Sequence, residues 1–182
     1  MEALQIEYDA LVKNYTWNLA PLPVGKKPLG GKWVFKIKRD ETGEIKKYKA
    51  RYVAKGYGQV YGSDYCETFV PTAKLTTVCT CLALAAQSEQ HVFQIDVKSA
   101  YLNAKINEDI YLDQPELFEK ESVNGEKLYC HLIKNICGLK QAGREWNLML
   151  NKWFIEYGLN KSKNDPCLYI NKTEKSSLIV VI

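Results

Sequence analysis

Two alternating segments joined by a short polar turn constrain the fold of this chain more than any other feature of the sequence. Residues 32–38 place large apolar side chains at every second position, with lysines on the other side. Residues 40–43 (Asp-Glu-Thr-Gly) supply a turn, and residues 45–54 return as a second strand-like segment. The pattern predicts a two-stranded ribbon with one apolar face and one basic face. The apolar face is defined by Trp33, Phe35 and Ile37.

The same region concentrates the positive charge of the chain. Residues 26–55 hold eleven Lys or Arg against three Asp or Glu, a local charge of +8, whereas the whole chain carries +4. A solvated surface sheet normally mixes both signs, so this segregation favours a polyanionic partner, which RNA, DNA or a nucleoside triphosphate would each satisfy. The basic residues assigned to the ribbon are Lys36, Lys38, Arg39, Lys46, Lys47, Lys49, Arg51 and Lys55.

Apolar residues at helical spacing predict three helices. They cover residues 2–14, 74–89 and 141–157, and a short helical turn is expected over residues 99–105. The residues expected to face inward are Val78, Cys81, Leu82 and Ala85 in the second helix, and Trp146, Leu150, Trp153, Phe154 and Tyr157 in the third.

Alternating segments elsewhere predict further strands, and their succession with the helices indicates an α+β fold. The expected strands are residues 91–97, 109–113 and 127–133, followed by a hairpin of residues 167–170 and 177–182 around a polar turn at residues 171–175.

Composition excludes several classes of protein. Apolar residues make up 46% and charged residues 25% of the chain, as in an ordinary globular protein and unlike a disordered or collagen-like one. No apolar stretch approaches the roughly 20 residues of a membrane-spanning helix, and residues 1–5 do not begin a secretory signal. We therefore expect a cytoplasmic protein without a membrane partner, with the nucleus as the alternative. Its six cysteines include no C-x-x-C pair and are expected to be reduced thiols rather than zinc ligands.

Two further features indicate chemistry only weakly by themselves. Asp96 ends the strand predicted at residues 91–97. An aspartate at that position most often caps the following turn, although its carboxylate would also suit Mg²⁺. Residues 138–146 enter a helix through glycines, with Lys140 and Arg144 one turn apart, as at a helix start that faces phosphate. The spacing of a P-loop is absent.

Read in order, several motifs extend over nearly the whole chain. The chain resembles the reverse transcriptase of copia-type long-terminal-repeat retrotransposons in these collinear segments. They are LPVGKKP (22–28) with KWVFKIK (32–38), YKARYVAKGY (48–57), DYCETF (64–69) with Pro71, QIDVKSAYLNA (94–104), YLDQP (111–115) and GLKQA (138–142).

The resemblance implies roles for individual residues. Asp96 corresponds to the first catalytic aspartate, which binds two Mg²⁺ ions in the family. Tyr101 corresponds to the aromatic residue that contacts the sugar of the incoming nucleotide, and Gln141 to a glutamine near the nucleotide and template. The triphosphate of the dNTP would be held by Lys38, Lys49 and Arg51. The RNA or DNA template-primer would be contacted by Lys36, Arg39, Lys46, Lys47, Lys55, Lys140 and Arg144.

The resemblance also implies the fingers and a partial palm of a right-hand polymerase. The implied fingers are residues 1–90, including the ribbon at 26–55, and residues 106–139; the implied palm is residues 91–105 and 140–182. The thumb and ribonuclease H regions are absent, and the sequence stops at Ile182, ahead of the family's Y-x-D-D motif with its second metal-binding aspartate. The chain is therefore expected to be a fragment of a Pol polyprotein without its C-terminal segments, and inactive as a polymerase alone.

Two other interpretations stay open at this point. The chain could be a non-catalytic nucleic-acid-binding protein that retains the ribbon, or an inert gene remnant. In the former, nucleic-acid binding would survive Asp96→Asn and weaken when Lys38, Lys49 and Arg51 become alanine. A polymerase would instead lose metal-dependent nucleotide binding with Asp96→Asn.

Overall fold

The computed structural model describes residues 1–173 and 176–182, which form two compact units. The first unit comprises Met1–Thr68 and Ser99–Trp146, and the second comprises Phe69–Lys98 and Asn147–Ile182. The elements in chain order are α1 (Glu2–Lys13), β1 (Trp17–Ala20), β2 (Gly31–Arg39), β3 (Ile45–Ala54), α2 (Leu75–Gln87), β4 (Tyr111–Leu112), β5 (Tyr129–Leu132), α3 (Ala142–Glu156), β6 (Asn160–Lys161), β7 (Leu168–Lys172) and β8 (Ser177–Val181).

Helices and small antiparallel sheets together confirm the predicted mixture of α and β structure. All three predicted helices are present within one to two residues of their expected ends, and Ala100–Asn103 forms the expected short turn as a 3₁₀ helix. No helix within the described part of the chain is long and apolar enough to span a membrane.

The first unit is built around a three-stranded sheet in the order β1-β5-β4. Helix α1 buries Leu4 and Leu11, and its first-turn Glu2 and last-turn Lys13 complement the helix dipole. Strand β1 has no clear alternation in the sequence, and the prediction missed it. The core of this unit is formed by Leu11, Leu29, Tyr52, Ala54, Leu102, Ile110, Leu112, Cys130, Leu132, Ile136, Leu139 and Ala142.

The ribbon of β2 and β3 is attached to this unit by close backbone contact at its base. A Cβ atom added at Gly56 would overlap the carbonyl oxygen of Gly138, and one added at Gly138 would overlap the carbonyl oxygen of Ala54. Gly138 also has a φ of +96°, which L side chains rarely adopt. The N–H of Ala54 donates a hydrogen bond of 2.9 Å to the carbonyl of Cys137. The ribbon is therefore anchored by peptide groups in direct contact.

The second unit packs Phe154, Leu159 and Tyr169 beside a sheet in the order β6-β7-β8. Strands β7 and β8 form the predicted antiparallel hairpin. Of the turn predicted at residues 171–175, residues 174 and 175 lie outside the described residues. Strand β6, only two residues long, was not predicted.

A buried carboxylate holds the first turn of α2 in this unit. Asp165 accepts hydrogen bonds from the Thr77 hydroxyl at 2.6 Å, from the Lys74 N–H at 3.0 Å and from the Cys167 N–H at 2.9 Å. The bond from Thr77, followed by those from the two N–H groups, lowers the pKa of Asp165 below its ordinary value. The segment at residues 165–167 is thereby tied to the start of α2.

The strand predicted over residues 91–97 is absent. These residues are exposed and irregular, and no strand among the described residues pairs with them. The alternation of Phe93, Ile95 and Val97 suits a strand, but a strand forms only where a neighbour supplies its hydrogen bonds. That neighbour cannot be read from local sequence.

The inward faces of the helices were predicted only in part. Val78, Cys81 and Ala85 of α2 are half-buried, but Leu82 is exposed. In α3, Phe154 is buried and Trp146 and Leu150 are half-buried, whereas Trp153 and Tyr157 are exposed. The two exposed rings stack on each other with centroids 5.3 Å apart. Each ring covers part of the other. In α3, apolar residues at helical spacing therefore do not all enter a core.

The base of the ribbon offers a matched test. Gly56→Ala should lower the free energy of unfolding by about 1–3 kcal/mol, because the new methyl group overlaps the Gly138 carbonyl. Gly58→Ala lies in the same 3₁₀ turn and meets only ordinary van der Waals contact, so it should change stability by less than about 0.5 kcal/mol. Urea unfolding followed by circular dichroism measures both. Equal stability of the two variants would contradict the proposed anchor.

Asp165 gives a prediction on pH dependence. Because its pKa is lowered in the folded chain, its stabilising effect is present above the ordinary Asp pKa of about 3.9 and is lost as the pH falls through the lowered value. Asp165→Asn should therefore destabilise the chain at neutral pH, and its difference from wild type should shrink below about pH 4. Urea unfolding across this pH range measures the difference, and a difference independent of pH would refute the prediction.

Candidate nucleic-acid interface

The pairing register of the ribbon places five of its basic residues on one face. Residues directly opposite each other in an antiparallel pair project to the same side of the sheet. Lys36 lies opposite Lys49, Lys38 opposite Lys47, and Val34 opposite Arg51. We call the surface formed by Lys36, Lys38, Lys47, Lys49 and Arg51 the basic face. The sequence prediction of a two-faced ribbon is confirmed.

The opposite face of the ribbon is apolar but only partly buried. Ala50 and Tyr52 are buried near the base, and Trp33, opposite Tyr52, packs against the core. Nearer the tip, Phe35 is 67% exposed and Tyr48 is 59% exposed. The apolar face is therefore anchored at its base, and its tip projects into solvent.

Like charges oppose each other directly on the basic face. Two of its cross-strand pairs are Lys–Lys, an arrangement that destabilises a sheet. None of the four lysines forms a salt bridge within the described residues. The fold therefore leaves these Lys–Lys pairs without salt bridges among the described residues, and a bound anion would relieve their repulsion.

Three other predicted basic residues lie at the two ends of the ribbon. At the tip, Arg39 donates a hydrogen bond of 2.7 Å to the carbonyl of Gly43, and Lys46 lies where the register shifts. At the base, Lys55 follows β3, its N–H donates to the Gly30 carbonyl at 2.8 Å, and its side chain lies beside Gly30.

An acidic residue that the sequence analysis missed lies near Lys49 and Arg51. Glu7 of α1 lies beside β3, where its carboxyl group is acted on by the charges of Lys49 and Arg51 and by the backbone N–H of Tyr52. Burial raises the pKa of the Glu7 carboxyl, and the nearby charges of Lys49 and Arg51 limit that rise. The sequence holds one signal that could have identified Glu7. Its spacing from Leu4 and Leu11 places the carboxyl group on the same side of α1 as these two buried residues.

Gln141, predicted to lie near a nucleotide, is 1% exposed and fully hydrogen-bonded inside the first unit. Its Oε1 accepts from Gln59 Nε2 at 2.9 Å, and its Nε2 donates to the Asp64 carbonyl at 2.9 Å and to Glu108 Oε2 at 3.1 Å. Gln59 is also buried and accepts from the Lys140 N–H at 2.8 Å. In this arrangement Gln141 connects three segments of the chain.

Tyr101 and the two basic residues near the start of α3 belong to the same unit. Tyr101 lies in the 3₁₀ turn Ala100–Asn103, is half-buried and packs against the first core. The Lys140 ammonium group donates to the Tyr65 hydroxyl at 3.1 Å. Arg144 is half-buried, and its charge acts on the neighbouring Glu145.

Asp96 belongs to the second unit, in the irregular segment at residues 91–98, and its side chain is exposed. The described residues include no group of three or more His, Cys, Asp or Glu side chains that could hold a metal ion. Among the described residues, Asp96 is therefore not part of such a group.

Comparison with known proteins decides the family. The family model described as reverse transcriptase (RNA-dependent DNA polymerase) matches residues 14–182. The chain belongs to the reverse transcriptase family. Its match to this model covers the basic face, Asp96, Tyr101 and Gln141.

Individual relatives are polyproteins of plant and yeast transposons. Over its whole length the chain is 42% identical to the retrovirus-related Pol polyprotein from transposon TNT 1-94 of Nicotiana tabacum, and covers 14% of that protein. It is 35% identical over 99% of its length to the Pol polyprotein from transposon RE1 of Arabidopsis thaliana, covering 12% of it. It is 28% identical over 99% of its length to the Ty1-BL Gag-Pol polyprotein of Saccharomyces cerevisiae, covering 10%. No solved structure matches the chain.

These relatives confirm the resemblance to copia-type reverse transcriptases inferred from the motifs. The chain spans about one-seventh or less of the length of these relatives. It thus corresponds to one segment of a Pol polyprotein.

Reverse transcriptases generally use divalent metal ions, so the fit of Asp96 to such an ion matters. Mg²⁺ takes about six oxygen ligands and is usually bound through one or two carboxylates, substrate phosphates and water. Asp96 supplies one carboxylate, and among the described residues it belongs to no group of three or more His, Cys, Asp or Glu side chains. These residues do not form a Mg²⁺ site by themselves, and no catalytic step is assigned to them.

The environment of Gln141 predicts a structural effect of its removal. Gln141→Ala would remove three hydrogen bonds, to Gln59, to the Asp64 carbonyl and to Glu108, and would leave Gln59 and Asp64 joined only by the longer bond of 3.3 Å. The substitution should lower the free energy of unfolding by about 1–3 kcal/mol. Gln94→Ala, at an exposed position, should change it by less than about 0.5 kcal/mol. Urea unfolding compares the two. Unchanged stability of Gln141→Ala would show that the buried network does not hold the fold.

Proposed function

We propose that this chain acts within a longer polyprotein in RNA-directed DNA synthesis, and that its own contribution is to bind the phosphates of the nucleic acid or of the incoming dNTP. The observation that carries this proposal is the two pairs of opposed lysines, Lys36–Lys49 and Lys38–Lys47, which form no salt bridge among the described residues. A sheet that keeps such repulsion is well suited to a polyanion.

The physical gain on binding has two sources. Each lysine that contacts a phosphate releases counterions condensed on the nucleic acid, which favours binding at low salt. The same contact neutralises a charge that repels its cross-strand neighbour. The ribbon is held at its base by the contact between Gly56 and Gly138, so its charges lie on a preorganised element. Binding therefore costs little further conformational entropy.

The proposed arrangement is that of the fingers and partial palm of a right-hand polymerase, with the bounds given by the sequence motifs. Lys38, Lys49 and Arg51 would hold the triphosphate, and Tyr101 would contact the nucleotide sugar. Asp96 would serve as a metal-binding carboxylate only with further oxygen ligands. Gln141 would act by positioning the surrounding loops, because its amide is already bonded within the protein. The cytoplasm is the proposed site of action.

Salt dependence of binding tests the proposal. Replacing Lys36, Lys38, Lys47 and Lys49 together by alanine should weaken binding to an RNA–DNA duplex. If all four contact phosphates, the slope of log K against log salt should become shallower by roughly 3.6. Fluorescence anisotropy with a labelled duplex between about 50 and 200 mM salt measures both quantities.

The control variant loses the same formal charge elsewhere. Its four replaced lysines are exposed residues outside the ribbon segment, namely Lys13, Lys120, Lys152 and Lys163. It should retain most of the affinity and the salt slope. An equal loss in both variants would show that only net charge matters and would refute a specific basic face. Asp96→Asn should leave this binding unchanged, since Asp96 is not on the ribbon.

A further inference from the structure

A compact loop that follows the ribbon displays two tyrosine rings that the proposed function does not use. We call residues 57–65 the tyrosine loop. The Asp64 carboxylate accepts the Val60 N–H at 2.8 Å, and the Gly62 N–H donates to the Tyr65 carbonyl at 2.8 Å. The Asp64 carbonyl is fixed in turn by the buried amides of Gln59, at 3.3 Å, and Gln141, at 2.9 Å. The loop is therefore ordered before any partner binds.

The rings of Tyr61 and Tyr65 lie edge to face, with centroids 5.7 Å apart and an interplanar angle of 73°. Tyr61 is 72% exposed, whereas Tyr65 is half-buried. Tyr57, in the same loop, is exposed as well. Single exposed aromatic residues are common, but two rings in contact on a fixed loop form a prepared apolar surface.

A cation lies at the same place. The Lys140 ammonium group is 4.5 Å from the Tyr65 ring centroid and donates to the Tyr65 hydroxyl at 3.1 Å. The nearest acid of the loop, Asp64, has its carboxylate engaged by the Val60 N–H. Aromatic rings beside a cation match a nucleotide, whose base stacks on a ring and whose phosphate attracts the charge.

We infer that Tyr61 and Tyr65, together with Lys140, form a stacking platform for an unpaired nucleotide of the bound nucleic acid. A base within a duplex is covered on both faces, so the platform selects single-stranded segments. This inference rests on the proposed function, because it assumes that the chain binds nucleic acid. The two proposals have different physical bases: the platform requires bases for stacking, whereas the basic face requires only phosphates.

The test compares two single strands that differ only in their bases. The 182-residue chain is titrated with an oligothymidylate of about 12 nucleotides and with an abasic phosphodiester of the same length. Wild type should bind the oligothymidylate roughly 5- to 150-fold more tightly, the range expected for one stacked base. Equal affinity for the two strands would overturn the inference without any mutation.

Variants then locate the effect. Tyr61→Ala should reduce the preference for oligothymidylate at least about 5-fold with the salt slope unchanged, whereas Tyr61→Phe, which keeps the ring, should retain it. Tyr15→Ala removes an exposed ring from another segment and should have no effect. Loss of the preference in Tyr61→Phe would refute stacking. Failure of the proposed basic face is distinguishable, because it would appear as an unchanged salt slope in the lysine variant.

Discussion

The contact between Gly56 and Gly138 is the constraint on which the candidate interface depends. Peptide groups approach there more closely than any side chain would allow, and Ala54 adds a backbone hydrogen bond to the same turn. This contact fixes the base of the ribbon and brings the tyrosine loop and the start of α3 beside it. The basic face and the buried glutamine pair both follow from it.

Stability and binding make opposite demands on the ribbon. The Lys–Lys pairs weaken the strand pairing, and the exposed Phe35 and Tyr48 gain little from burial. Packing of Trp33 and Tyr52 at the base offsets these costs, and Glu7 places one acidic group near Lys49 and Arg51. The strands thus stay paired while most of their charge remains available to a phosphate-bearing partner.

The sequence predicted the ribbon well because its alternation and its turn are local signals. It failed at residues 91–97, where alternation was present but the described residues supply no partner strand. It also failed at Trp153 and Tyr157, which stack on each other instead of entering a core. Glu7 and Gln141 illustrate a third kind of limit. Their partners lie far away in the sequence, on β3 for Glu7 and in the tyrosine loop for Gln141. Local patterns can select the two residues, but they cannot identify these partners.

The sequence by itself determined the helices, the two faces of the ribbon, its charge and, through collinear motifs, the family to which the chain belongs. These properties follow from residue order, because periodicity and charge are set along the chain. Only the tertiary structure decided which side chains are engaged inside the protein and which are free to bind. That outcome depends on groups that only folding brings together. Folding buried Gln141 within a hydrogen-bond network and placed Lys140 beside Tyr65. It also left the lysines of the basic face without salt bridges among the described residues.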